Sequence, residues 1–228
     1  MSQDTLSWMP FVASLTAFLL AHSIPARPPV RRRLVGILGE RAYTALYSIM
    51  SLLLLGWVFR SAAEAPYVEF WPALDWQRLV PQLVVPLSMA LGTVGLFTAN
   101  PLSLSARQGG TDQDGTILAI TRHPVLWALA LWAAAHIVPN GDLAHLTLFG
   151  GLLTLCLVGM VTMDRRARRR LGPDRWAALA ADCPILPFSR PGALRWPSLR
   201  ESRLAATGLA VAVAAALLHE TIIGLPAI

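Results

Sequence analysis

Six stretches of this chain are apolar over a length that reaches or approaches what a bilayer demands of a helix. A helix rising about 1.5 Å per residue needs roughly 20 residues to traverse a hydrocarbon core of about 30 Å. The runs at residues 8–24, 42–58, 79–99, 125–139, 146–163 and 204–224 qualify, the fourth being the shortest. Pro81 and Pro86 stand near the start of the third, a placement that membrane helices tolerate. The pattern therefore predicts an all-α, polytopic integral membrane protein of about six transmembrane helices. After the fifth run, residues 164–182 read as a basic amphipathic helix broken at Gly172-Pro173, with Trp176, Leu179 and Ala180 along one side. Such a helix is expected to lie along the lipid headgroups. Pro184, Pro187, Pro191 and Pro197 then bar a continuous helix up to the last run. The expected organisation is a membrane domain over residues 1–190, followed by a linker and final helix over 191–228.

Composition strengthens this picture. Hydrophobic residues make up 55% of the 228 positions and charged residues 14%, where a soluble domain carries about 25% charged residues. All 19 basic residues are arginine, against 13 acids. An arginine excess can signal nucleic acid, and its distribution decides otherwise. Arg27, Arg31, Arg32, Arg33 and Arg41 follow the first run, and Arg107 and Arg122 follow the third. The segment after the fifth holds ten more, including Arg165, Arg166, Arg168, Arg169, Arg170 and Arg195. The alternate segments are acidic or neutral, with Asp4, Glu64, Glu69, Asp75 and Asp142. Arg60 and Arg78 dissent from helix ends, where they can snorkel. The positive-inside rule puts both termini outside and the arginine-rich segments in the cytoplasm, so the expected partner is the lipid bilayer and not nucleic acid. Residues 1–7 lack the positive charge of a signal peptide, so the first run is expected to remain as a span. Cys156 and Cys183, one in a span and one in a cytoplasmic segment, are expected to stay unpaired.

No phosphate loop, zinc-type cysteine cluster, HExxH or GxSxG is present, so the polar groups within the spans are the main clues to chemistry. Of five histidines, His145 beside Asp142 reads as solvated surface and His219 beside Glu220 as a local pair. His22 lies late in the first span. His136 lies late in the fourth, on a helix thinned by Ala128, Ala130, Ala133, Ala134 and Ala135. By helical rise they sit roughly 7 Å and 18 Å from the cytoplasmic boundary, an offset of about 10 Å. A tilted macrocycle with a histidine on each face can bridge that offset. Packing histidines hydrogen-bonded to carbonyls fit the same positions, and spacing leaves both readings open. Ile120 to Pro124 is the most motif-like string. Pro124 suits a helix's first turn and Thr121 its cap, with Arg122 and His123 at the positive end, where an anionic ligand or simple interfacial anchoring is accommodated.

Taken together, His22-Ser23 with the arginines behind it, Gly39-Glu40-Arg41-Ala42-Tyr43, Ile120 to Pro124, Ala135-His136 and Asn140-Gly141-Asp142 resemble the NnrU family over roughly residues 10–190. That family is associated with nitrite and nitric oxide reduction, and is similar to plant zeta-carotene isomerases, membrane enzymes that carry haem b. The resemblance implies haem b between the first and fourth spans, with His22 and His136 as its metal ligands. Arg27, Arg41, Arg122 and His123 complete the expected cofactor-binding set, the arginines pairing with propionates. The isomerases have a cysteine three residues before the second ligand, where this chain has Ala133. The implied role is redox, or nitric-oxide-related, in a bacterial inner membrane, with a membrane redox partner or a hydrophobic small molecule; a haem-dependent isomerase and a cofactor-free assembly factor are the alternatives. A more distant resemblance joins Arg122-His123-Pro124, Leu171 to Trp176 and Pro184 to Pro187 to the isoprenylcysteine and phospholipid methyltransferases, which bind S-adenosylmethionine, and makes a membrane methyltransferase a further alternative. Their usual Glu-Glu pair is replaced by Met163-Asp164-Arg165-Arg166.

Overall fold

A computed structural model describes residues 3–107, 116–190 and 196–224, the side chains of residues 3–7 and 222 excepted. The side chain of Asp4, and Pro191 and Arg195, fall outside the described set. The described residues form α1 (Gln3–Ser23), α2 (Pro28–Leu38), α3 (Glu40–Ala63), α4 (Leu79–Phe97), the short α5 (Ile117–Ile120), α6 (Pro124–Ile137), α7 (Leu143–Leu171), α8 (Pro173–Ala181) and α9 (Leu199–Ile223). The protein is all-α, and each of the six apolar runs is helical.

Four helices are long and apolar enough to cross a membrane unaided: α3, α4 with the turn before it, α7 and α9. A fifth crossing is reached if α1 and α2, bent by 78°, are taken as one span. The expected six falls short because α6 has only 14 residues, about 21 Å of rise. The arginine-rich stretch after the first run is not a loop. Pro28 opens α2 at its first turn, where a missing N–H costs nothing. Gly39, at φ +79, separates α2 from α3, a backbone conformation that favours glycine.

The chain divides into two compact units, one running to Pro72 and taking in Gly141–Leu148, the other holding Ala73–Asn140 and everything from Phe149 onward. Within the second unit α9 packs on α4. In the first unit α1 and α3 run antiparallel, with the buried Ser14 and Ser61 hydroxyls 2.6 Å apart. The chain beyond α3 is tied to Gly141–Leu148 by the Phe70 N–H donating to the Gly141 carbonyl at 2.7 Å and the Leu143 N–H to that of Val68 at 2.9 Å. Gly141 is required there, because a Cβ would come within 2.1 Å of the Trp71 carbonyl oxygen.

In the second unit α4 is the middle helix, flanked antiparallel by α6 and α9. Small residues set these approaches. A Cβ on Gly95 would meet Pro124 at 2.5 Å, one on Gly92 would meet Ala128 at 3.1 Å, and one on Gly208 would meet the Met89 carbonyl oxygen at 2.5 Å. Backbones this close are how membrane helices gain dispersion contact. Four alanines of α6, Ala128, Ala130, Ala133 and Ala135, are buried; the thin helix serves helix packing. The basic helix expected over 164–182 is also redrawn. α7 runs unbroken to Leu171, Gly172 turns at φ +84, and only α8 follows. Its predicted apolar side is correct in membership, but Trp176, Leu179 and Ala180 pack on a protein core of Val94, Leu102, Ile117, Leu118, Ala167 and Cys183.

Candidate functional site: His136 and the cavity beside it

The glycine contacts clamp α4 to its neighbours over Met89–Gly95. Towards the other end of α4 the three helices enclose a cavity of about 560 Å³, within the 300–1,000 Å³ common for small-molecule sites. Its walls include Val85, Pro86 and Met89 of α4, Trp132 of α6 and Ala212 and Ala216 of α9. Polar groups gather where α4 begins and α6 and α9 end, among them Asp75, Arg78, Gln82, Asn140, His136 and His219.

His136 is held firmly. Its Nδ1 lies 2.8 Å from the Trp132 carbonyl oxygen one turn earlier. A carbonyl only accepts, so Nδ1 carries the proton and the neutral ring keeps its lone pair on Nε2. The ring stacks on Phe149 at 5.1 Å and lies 4.8 Å from Trp132. Asn140 donates to the His136 carbonyl at 2.7 Å, closing the end of the helix. Among the described residues nothing hydrogen-bonds to Nε2. A histidine so arranged, with the remote nitrogen tied to a backbone carbonyl, is the usual form of an imidazole metal ligand. His219, expected as a partner of Glu220, lines the same cavity.

His22 belongs to the first unit. Its ring lies 5.4 Å from Phe18 and 5.6 Å from Tyr47, and its buried Nδ1 has no hydrogen-bond partner among the described residues. Around it, Tyr47 donates to the His22 carbonyl at 2.6 Å and Tyr43 to that of Pro25 at 3.1 Å. These two hydroxyls satisfy carbonyls left open where α1 ends. The motif around Tyr43 was visible in the sequence, and its i, i+4 spacing to Tyr47 was the unused signal. Arg27, at the start of α2, and Arg41, in the first turn of α3, are exposed in this unit.

Arg122 and His123, expected at a cofactor, bond to groups of the protein itself. Arg122 donates through Nε and Nη2 to both oxygens of Asp164, at 3.0, 3.1 and 2.5 Å, and through Nη1 to the Cys183 carbonyl at 3.1 Å. Its guanidinium also lies 5.7 Å from the Trp176 ring centre. The fully buried His123 places Nε2 3.1 Å from Asp164 and Nδ1 2.8 Å from the Ser103 hydroxyl. Since a carboxylate only accepts, Nε2 donates and the Ser103 hydroxyl donates to Nδ1. Burial lowers the His123 pKa below the usual imidazole value and adjacent Arg122 lowers it further, while Asp164 pulls it back. Thr121, expected as a helix cap, instead donates to the Ile185 carbonyl at 2.9 Å. Thr121, Arg122, His123, Asp164, Trp176 and the carbonyls of Cys183 and Ile185 thus converge.

Among the described residues no group of three or more His, Cys, Asp or Glu side chains is placed to hold a metal ion directly. A haem makes no such demand, because its ring supplies four ligands and the protein adds one or two. The tautomer of His136 and the cavity beside it fit that donor requirement. A sequence profile of the NnrU protein family matches residues 10–227. The chain belongs to the NnrU family. No curated protein and no solved structure matches it. The NnrU match extends past residue 190, where the motif resemblance stopped, and takes in α9 with His219.

Proposed function

We propose that this NnrU-family chain is a multi-pass membrane haem b protein of nitrite and nitric oxide metabolism, serving electron transfer or sensing, with His136 as one axial ligand and a second imidazole opposite it. The observation that carries the reading is His136 itself, which lines the cavity with Nδ1 donating to the Trp132 carbonyl and no hydrogen bond to Nε2 among the described residues. The resemblance nominates His22 as the second ligand. A bound haem with two imidazoles supplies one-electron chemistry and leaves no position open to substrate. The chain's own contribution is to fix the imidazole with Phe149, Trp132 and Asn140, and to enclose the ligand in apolar wall. Ala133 is fully buried in protein at the position where the isomerases carry sulfur, which favours a redox role over isomerisation.

The same reading includes six crossings, with both termini outside. The antiparallel pairing of α1 with α3, and of α4 with α6 and α9, supports that alternation, with α6 as a short crossing buried against its neighbours.

Purified full-length protein loaded with haem b is expected to show a six-coordinate Soret and α-band. The spectrum survives in His123→Gln, whose native side chain faces Asp164, and is lost or changed in His136→Ala. A preparation that takes up no haem b, or whose spectrum is indifferent to His136→Ala, overturns the reading.

A further inference from the structure

We infer that the imidazole opposite His136 is His219, so that the whole haem site is built within the α4, α6 and α9 unit. The inference rests on the haem reading above and names a ligand that the resemblance does not.

Three observations lead to it. The two histidines line one cavity, and they reach it from different helices, His136 in the last turn of α6 and His219 near the end of α9. A flat ring needs donors from opposite sides, and two helices flanking α4 can present them where one helix cannot. Next, the cavity follows from sequence. Gly92, Gly95 and Gly208 bring backbones together over one half of α4. Beyond them Pro86 stands inside α4, and α9 faces the space with Ala212, Ala215 and Ala216. Small side chains on one wall and a proline on the other leave room for a flat occupant. Last, the polarity is graded. Apolar wall lies deep, while Asp75, Arg78, Gln82 and Asn140 stand at the end where His136 and His219 sit. An apolar macrocycle with acidic edge groups matches that gradient, its acids directed towards the rim, where Arg78 makes no ion pair among the described residues and Asp75 is the one acid of the lining.

The test loads haem b into full-length wild type, His219→Ala, His219→Met and His22→Ala, and records optical and paramagnetic resonance spectra with a reductive titration. Loss of His219 is expected to convert the low-spin six-coordinate haem to a high-spin five-coordinate one, with low spin restored by added imidazole. His219→Met is expected to remain low-spin with a raised reduction potential, as methionine replaces imidazole at iron; this keeps the test alive should the alanine variant fail to fold. His22→Ala is expected to leave the spectrum unchanged. If His22→Ala opens the coordination and the His219 variants do not, the inference falls while the haem reading stands. Wild type without haem uptake overturns both.

Discussion

α6 carries a histidine at each end, and the two are used in opposite ways. At its N-terminus His123 has both ring nitrogens committed, one to Asp164 and one to Ser103, beneath a guanidinium that grips the same carboxylate. At its C-terminus His136 has one nitrogen tied to its own helix, no hydrogen bond to the other among the described residues, and a place in the lining of a cavity. His123 caps this apolar helix and His136 lies in its last turn, so hydropathy does not separate them. Residue type gives the capacity for chemistry, and the accounting of donors and acceptors decides whether it is spent on the fold or left for a ligand.

The sharpest way to break this contrast is Asp164→Ala. Its side chain is 15% exposed and that of Arg122 13%. Removing the acid strands a cation and an imidazole together, and losing one partner of a buried pair costs about 3–5 kcal/mol. Thermal unfolding in detergent should show that loss. A change below about 1 kcal/mol would mean that the network is solvated and that the N-terminal end of α6 is no more locked than the other.

Gly208→Ala probes the open end. The added methyl would meet the Met89 carbonyl oxygen at 2.5 Å, so α9 must shift along or away from α4. Overpacking of this kind costs about 1–3 kcal/mol. Because the same contact closes one end of the cavity, haem b uptake should change together with stability, whereas Asp164→Ala should affect stability alone.

Much of this difference was hidden from the sequence for physical reasons. Helix identity was legible in all six apolar runs, because apolar runs longer than a typical strand admit few alternatives. The turn of α1 into α2 was not, since Arg31, Arg32 and Arg33 are as compatible with a loop as with an amphipathic helix. The depth of His136 leaves a packing role and a ligand role both open, and the family resemblance alone points to the ligand role, which stands as a proposal. The pairing of Arg122 and His123 with Asp164 joins residues about 40 positions apart, and nothing in local spacing announces it. His219 was set aside for its neighbour Glu220, although sequence adjacency on a helix places side chains about 100° apart.

Asn140→Ala is a smaller perturbation at the open end. It removes one hydrogen bond, to the His136 carbonyl at 2.7 Å, and about 1 kcal/mol of stability is expected to go with it. The informative readout is spectroscopic. If Asn140 positions the imidazole by closing α6, haem loaded into Asn140→Ala should show a shifted reduction potential while remaining six-coordinate. An unchanged potential would leave Asn140 as a helix cap only.

Acidification gives the finest test, and it falls on the locked end. Arg122 and Asp164 already balance, so a proton on His123 would leave the trio with one uncompensated positive charge in a buried place. Burial accordingly lowers the folded-state pKa of His123, whereas the unfolded chain titrates near 6.5. Above about pH 6.5 the neutral ring contributes its full share of stability; as pH falls through 6.5 towards the folded-state value, the unfolded chain takes up the proton first and that share is lost. Wild-type unfolding temperature should therefore decline on acidification more steeply than that of His123→Gln, an amide that still donates to Asp164 and takes up no proton. The slopes, not the absolute stabilities, carry the comparison. A wild type that grows more stable than the glutamine variant on acidification would mean that Asp164 overrides burial and holds His123 as an imidazolium, which would make the trio a second charge-bearing centre at the far end of the helix from His136.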